Sequence, residues 1–136
     1  MRSRVDGSRT EGTMSPVHRT LGGSLLAFDL VEEMRIVRAE LEGEHSRIAR
    51  TLVKEGPLRL TLIGVRPGGG MHEHVAEGPI TIHALEGSIV VRAGSDVRTL
   101  TAGGLMALDG GVRHDVSSND GGLFLLTLIA PNASRE

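Results

Sequence analysis

Two histidines separated by a single residue, His72 and His74, form the pattern in this sequence that most directly suggests chemistry. In an extended strand, the side chains of residues i and i+2 lie on the same face, about 7 Å apart along the backbone. Both imidazoles could therefore bind one ion, because neutral imidazole nitrogen coordinates zinc, iron, nickel, copper and manganese. One such pair is a weak signal in a chain with six histidines. A metal site at this point requires further ligands.

The composition limits those ligands and the partners of the chain. Cysteine is absent, so histidine and carboxylate side chains are the only strong metal ligands. Tyrosine and tryptophan are also absent, so any ligand cavity should be aliphatic and lack a stacking surface for bases or sugars. The formal net charge of −2 gives no strong field to attract nucleic acid or anionic lipid. We therefore expect a small-molecule partner and no nucleic-acid or membrane partner.

The chain of 136 residues fits one globular domain. No apolar run approaches the roughly 20 residues that span a bilayer, and the N-terminal residues lack the apolar stretch of a secretory signal. We therefore expect a cytoplasmic protein. Three segments are predicted along it, namely a disordered tail, a helical segment and a β-barrel, over residues 1–20, 21–45 and 46–136.

A single helix is predicted before the barrel. Apolar residues recur at helical spacing over 30–42, and Asp29 with Glu32 three residues later resembles a capping box. Gly43 is a typical residue to follow the end of a helix. Because the other face of this helix is charged, we expect it to pack on the barrel surface through its apolar face.

After the helix, the sequence consists of short segments rich in Val, Ile and Leu, separated by turn residues such as Gly, Pro, Asn and Asp. Many short strands at regular spacing are typical of a sandwich or a barrel. We therefore predict an all-β jelly-roll barrel with a short N-terminal helix. The predicted strands cover residues 48–54, 58–66, 79–85, 88–93, 97–102, 105–108, 112–118 and 123–129.

Two motifs in this region resemble those of the cupin superfamily. The stretch HEHVAEGPITIHALEG resembles the first cupin motif, in which HxH is followed by a glutamate ligand and then by a turn glycine, here Gly87. Gly103, Gly111 and His114 match the glycine-to-histidine spacing of the second motif. The resemblance covers residues 48–130 and implies the cupin jelly roll, also called a double-stranded β-helix.

The resemblance also implies a divalent transition metal (Fe, Ni, Mn, Cu or Zn). The position of the cupin glutamate ligand, counted back from the turn glycine, falls at Ile80, which cannot bind a metal. A neighbour could substitute as a fourth ligand, and Glu77 and His83 are both candidates. His83 requires an irregularity near the preceding turn, because strand parity places it on the face opposite to Ile80. The implied metal ligands are His72, His74 and His114.

Two functions remain open from the sequence. The first is a metal-dependent enzyme that cleaves or oxygenates a small molecule, as do the thiol and diketone dioxygenases that this chain would resemble. The second is a non-enzymatic cupin that binds or senses a small molecule or a metal, because fold does not dictate function. The absence of tyrosine argues against a sugar-epimerase-like cupin, which uses a tyrosine acid. Neither function assigns catalytic residues here. Because small cupins commonly pair their barrels, we also expect a homodimer.

Overall fold

A computed structural model describes residues 25–43 and 45–131 of the chain. The predicted tail over 1–20 and the first residues of the predicted helical segment lie outside the described residues. Within them, the chain forms one helix followed by eight strands, all of which pair in antiparallel fashion. The predicted all-β fold with a short helix before it is confirmed.

Helix α1 spans Leu30–Leu41, which confirms the predicted helix to within one residue. Asp29 caps its first turn, where a side-chain oxygen accepts a hydrogen bond of 3.0 Å from the Val31 backbone N–H. Glu32 and Glu33 in the first turn interact favourably with the helix dipole. At 12 residues, α1 is shorter than a bilayer-spanning helix, and no helix in the described part of the chain is long and apolar enough to cross a membrane.

The bounds of strands β1 to β8 are Arg47–Glu55, Leu58–Val65, Gly70–Val75, Ile80–Ala93, Asp96–Thr101, Leu105–Leu108, Arg113–Ser117 and Gly122–Ile129. The strands form a curved sheet in the order β1-β2-β8-β4-β7-β3, with β5 and β6 both paired to β4. We call β1, β2, β8, β6 and the first half of β4 sheet A, and β3, β5, β7 and the second half of β4 sheet B.

Strand β4 differs from the sequence prediction of two strands over 79–85 and 88–93. It is one strand of 14 residues that passes from sheet A into sheet B. Gly87, predicted as a turn residue, has a φ of 72° and sits beside a register shift between Ala84 and Glu86. The glycine bends the strand and does not reverse the chain. A Cβ atom there would lie 2.2 Å from the Gly121 carbonyl oxygen, so no other residue fits without rearrangement.

Sheet A separates two apolar cores. Its inner face and sheet B enclose the barrel core around Phe124, Ile82 and Val91. Its outer face forms a second core with α1, in which Val37 and Leu62 are fully buried. Both faces of β2 and β8 are therefore largely covered, which explains why β8 is nearly continuous in apolar residues.

A buried ion pair joins α1 to sheet A. The Arg50 Nε atom on β1 donates to Glu33 Oε1 on α1 at 2.6 Å. The exposed fractions of the two side chains are only 6% and 12%. Because a buried charge without its partner is costly, this pair favours one position of α1 on the sheet.

Candidate ligand site inside the barrel

The inner face of sheet A and the edge of sheet B enclose a cavity of about 450 Å³. Pockets that bind small molecules typically have volumes of roughly 300–1,000 Å³. The walls combine aliphatic and polar side chains, and Phe124 is the only Phe, Tyr or Trp residue among them. The lining residues are Lys54, Arg59, Thr61, Met71, His74, Val75, Ala76, Glu77, Ile80, Ile82, His114, Val116, Phe124, Leu126 and Leu128.

Two of the three predicted metal ligands, His74 and His114, meet on one wall of this cavity. They are directly opposite each other in the antiparallel pairing of β3 with β7. Their ring centroids lie 4.3 Å apart at an interplanar angle of 58°. His114 is buried, with 3% of its surface exposed, and His74 is half-buried. The pair therefore places two polar rings beside aliphatic side chains of the wall.

Both imidazoles are oriented by the same local contact. The Nδ1 atom of His74 lies 2.9 Å from the His72 carbonyl oxygen, and that of His114 lies 3.0 Å from the Val112 carbonyl oxygen. A carbonyl oxygen can only accept, so each Nδ1 must carry a proton for the hydrogen bond to form. In the neutral ring, Nε2 then keeps its lone pair. The site consequently offers two acceptor nitrogens, one from each strand, to a ligand or a metal ion.

His72 is not brought to the cavity. Its side chain is exposed and does not line the cavity, whereas Met71 and His74 do. The reason is a register shift in β3, since Met71 pairs with Val116 and His74 with His114. Two residues of β3, at positions 72 and 73, thus oppose one residue of β7, which is a β-bulge. The i, i+2 rule assumes a regular strand, and the bulge removes that regularity.

The other predicted ligands also separate. Glu77 lines the cavity with an exposed side chain, while His83 lies on the outer face of sheet A, paired with Leu105 and Leu125. Ile80, at the position implied for the cupin glutamate, is buried and lines the cavity. Over residues 25–43 and 45–131, no group of three or more His, Cys, Asp or Glu side chains is placed to hold a metal ion.

The sequence prediction did not include two cations that line the cavity, Lys54 and Arg59. They are directly opposite each other on the hairpin of β1 and β2. Arg59 follows Leu58 and precedes Leu60, an alternation that resembles an ordinary strand with its charges in solvent. Here the leucines instead pack in the core under α1, and the polar residues of β2 face the barrel. Only the presence of α1 reveals this orientation.

Comparison with known proteins supports the architecture. No protein-family model and no curated protein matches the chain. Solved structures do match it. A cupin superfamily protein from Desulfitobacterium hafniense superimposes with a TM-score of 0.61 at 14% identity, covering 64% of this chain and 80% of that one. This chain has the cupin fold.

Two further structures show the range of proteins that share this cupin barrel. A conserved protein of unknown function from Streptococcus pyogenes matches with a TM-score of 0.65 at 18% identity, covering 88% of this chain and 98% of that one. Salicylate 1,2-dioxygenase from Pseudoaminobacter salicylatoxidans, solved as adducts with gentisate, has a TM-score of 0.67 at 15% identity. That alignment covers 76% of this chain and 33% of the enzyme. At these identities, the similarity concerns the fold.

Proposed function

We propose that this cupin binds a small molecule inside its barrel, against the His74–His114 pair. The observation that carries the proposal is the cavity of about 450 Å³ whose apolar walls meet this pair of oriented imidazoles. Apolar area supplies affinity in such pockets, and a few placed polar groups fix the orientation of the ligand. Because both Nε2 atoms accept, they favour a ligand group that donates, such as a hydroxyl or an N–H group, or a cation.

A divalent transition metal at this pair is the second candidate, and the chemistry of the donors favours it. Histidine ligands of metals typically donate the other ring N–H to a carbonyl or carboxylate, as His74 and His114 both do. The pair alone is an incomplete protein site, because zinc and iron sites generally use three or more protein ligands. We propose that Glu77 or a bound ligand supplies a further donor. His72 could serve as a donor only if the bulge in β3 rearranged.

If bound, the metal would supply Lewis acidity and open coordination positions, which the metal-dependent oxidoreductase alternative requires. The contribution of the chain would be to hold two imidazoles in a fixed orientation and to exclude water with aliphatic walls. The bulged backbone of β3 has a part in this, since the carbonyl of His72 orients the ring of His74. The alternative without a metal leaves a binding or sensing protein that uses the same residues.

Elemental analysis of untagged protein, purified in metal-sparing buffers, tests the metal. We compare wild type with His74→Ala and with the matched variant His72→Ala, which removes an exposed imidazole outside the cavity. One metal per chain that is lost in His74→Ala and kept in His72→Ala would support the two-histidine site. Equal loss in both variants would indicate that the bulge rearranges to form the three-histidine site. If wild type holds no metal even after reconstitution, the proposed metal site is wrong.

Ligand binding and turnover are tested separately. Methyl NMR shifts of Ile82 and Leu126 report entry of a small molecule into the cavity. Oxygen uptake by the iron-loaded protein with a panel of thiols, diketones and small phenolics distinguishes an oxygenase from a binder. If no member of any small-molecule library shifts the cavity methyl groups, the proposed binding function is wrong.

We also propose a homodimer. The outer face of the β1–β2 hairpin packs beneath α1, so it is not available to a second copy. The outer face of sheet A that α1 leaves uncovered carries Leu105, which is 63% exposed, and Ile129, which is 42% exposed. Burial of these side chains against the same surface of a second barrel would remove apolar area from water.

A further inference from the structure

We infer that the ligand of this cavity is a small organic anion, whose carboxylate or similar oxyanion is bound by Lys54 and Arg59. The inference rests on the proposed ligand-binding function and adds the chemical class of the ligand. Lys54 is the only lysine of the chain, and it faces the same cavity as Arg59 and the two histidines.

The two cations lie beside each other in the cavity wall. Lys54 and Arg59 are Cα partners in the antiparallel pairing of β1 with β2, and both line the cavity. Like charges directly opposite each other on one face of a sheet are destabilising. A bound anion removes this cost, because it gives both cations a shared partner.

Both cations keep hydrogen-bonding capacity for a ligand. Within the described part of the chain, neither cation forms an ion pair, and Lys54 forms no hydrogen bond. Arg59 donates only through Nη1, to the carbonyl oxygens of Gly56 at 2.5 Å and Leu58 at 3.1 Å. These contacts hold one end of the guanidinium and leave its other N–H groups for a ligand. An oxyanion matches that geometry, since a guanidinium can bind it with two parallel hydrogen bonds.

The charged side chains that line the cavity do not balance each other. Glu77 is the one carboxylate among the lining residues, and it forms no ion pair with Lys54 or Arg59 within the described residues. Among its lysine, arginine and carboxylate side chains, the lining therefore has two cations against one carboxylate. The whole chain has a net charge of −2, so this excess of positive charge is a local property of the cavity.

The arrangement along sheet A also gives the ligand a shape. Arg59 pairs with Leu128, which in turn pairs with Ile80, so the cations continue directly into an aliphatic row across the inner face. Neighbouring strands lie about 4.8 Å apart, so this row extends for roughly 10 Å. His74 and His114 stand on sheet B. The occupant that fits is an anionic head on an apolar body, with a polar group that can reach the imidazoles.

The test compares two probes that differ in charge and share the same apolar chain, hexanoate and hexanamide. Binding is followed by the methyl NMR shifts of Ile82 and Leu126 in protein treated with a chelator, so that no carboxylate–metal contact contributes. One charge-assisted hydrogen bond is worth a factor of about ten or more in affinity. We expect wild type to bind hexanoate at least about tenfold more tightly than hexanamide, and added salt to reduce this preference.

The variants Lys54→Met and Arg59→Met should each weaken hexanoate binding and leave hexanamide binding unchanged. The matched control is Arg98→Met, which removes an exposed cation on β5 that does not line the cavity. Folding is checked by thermal unfolding. Lys54→Met should leave the Tm unchanged or raise it, whereas Arg59→Met also loses two hydrogen bonds to backbone carbonyls, so its Tm should be the same or slightly lower. Equal affinities for the two probes in wild type and variants would overturn the inference while ligand binding stands. If neither probe moves the cavity methyl groups, the inference is overturned as well, and the small-molecule library then decides whether the proposed function fails with it.

Discussion

Replacing Gly64 with alanine should destabilise the protein, because α1 lies directly on this residue of β2. A Cβ atom at Gly64 would lie 2.6 Å from Val37 Cγ1 and 2.7 Å from Leu41 Cδ1. Carbon atoms in favourable contact are separated by about 3.5–4.0 Å, so the overlap is close to 1 Å at both points. Val37 is fully buried, and α1 must therefore shift outward or both side chains must leave their rotamers.

The magnitude follows from two opposing effects. Overpacking of a well-packed core costs about 1–3 kcal/mol. Alanine also restricts the backbone of the unfolded chain, which stabilises the folded state by about 0.4–1 kcal/mol. This gain applies because Gly64 does not have a positive φ, which alanine would disfavour. We expect a net loss of about 1–2 kcal/mol, or a decrease in Tm of about 4–8 °C for a domain of this size.

Guanidinium denaturation and thermal unfolding measure this loss, with Gly43→Ala as the matched control. The added Cβ of Gly43 meets only the Glu40 carbonyl oxygen, at an ordinary 3.6 Å, so this variant should be as stable as wild type or slightly more stable. Combining Gly64→Ala with Val37→Ala should recover about 1 kcal/mol of the summed losses. Strict additivity, or a Gly64→Ala variant as stable as the control, would refute the packing of α1 on β2.

Three further predictions concern α1 and the uncovered face of sheet A. Glu33→Leu removes the buried carboxylate that accepts the hydrogen bond of Arg50 Nε and should lower the free energy of unfolding by about 2 kcal/mol, measured by denaturant titration; a loss within error would contradict this. The hydrogen bond that Arg35 donates to Glu32 lowers the pKa of the Glu32 carboxyl in the folded protein. The ionised carboxylate therefore stabilises the folded state above the pKa that Glu32 has in the unfolded chain. This stabilisation is lost as the pH falls through the lower pKa of Glu32 in the folded state. Glu32→Gln should therefore have a slightly lower urea midpoint than wild type at neutral pH and the same midpoint in strong acid. Leu105→Lys should convert the proposed dimer to a monomer in light scattering, with cavity binding retained.

The local elements of this protein could be predicted from the sequence because their determinants are local. The Asp29 cap and the apolar period placed α1 within one residue, and turn glycines marked most strand ends. Gly87 was misread as a chain reversal, since a positive φ serves equally a turn and a bend within a strand. A turn and a bend at Gly87 differ only in the strands with which the residues after Gly87 pair.

The candidate site was predicted in part. Motif spacing singled out His74 and His114, and the structure places them opposite each other on the cavity wall. It does not place His72 there, and the metal itself stays a prediction. The cations Lys54 and Arg59 were missed, because alternation along a strand cannot tell which of two covered faces is the barrel interior.

The sequence by itself determined the class of the elements, one helix followed by short strands, and the chemical inventory of the cavity. Without cysteine, tyrosine or tryptophan, its walls had to be aliphatic, with histidines and a few charges as the reactive groups. Only the tertiary structure decided which of these groups meet. The bulge before His74 depends on the register of β3 against β7, and the orientation of β2 depends on α1 packing over Gly64. Both are contacts between residues distant in the sequence, which local patterns do not encode.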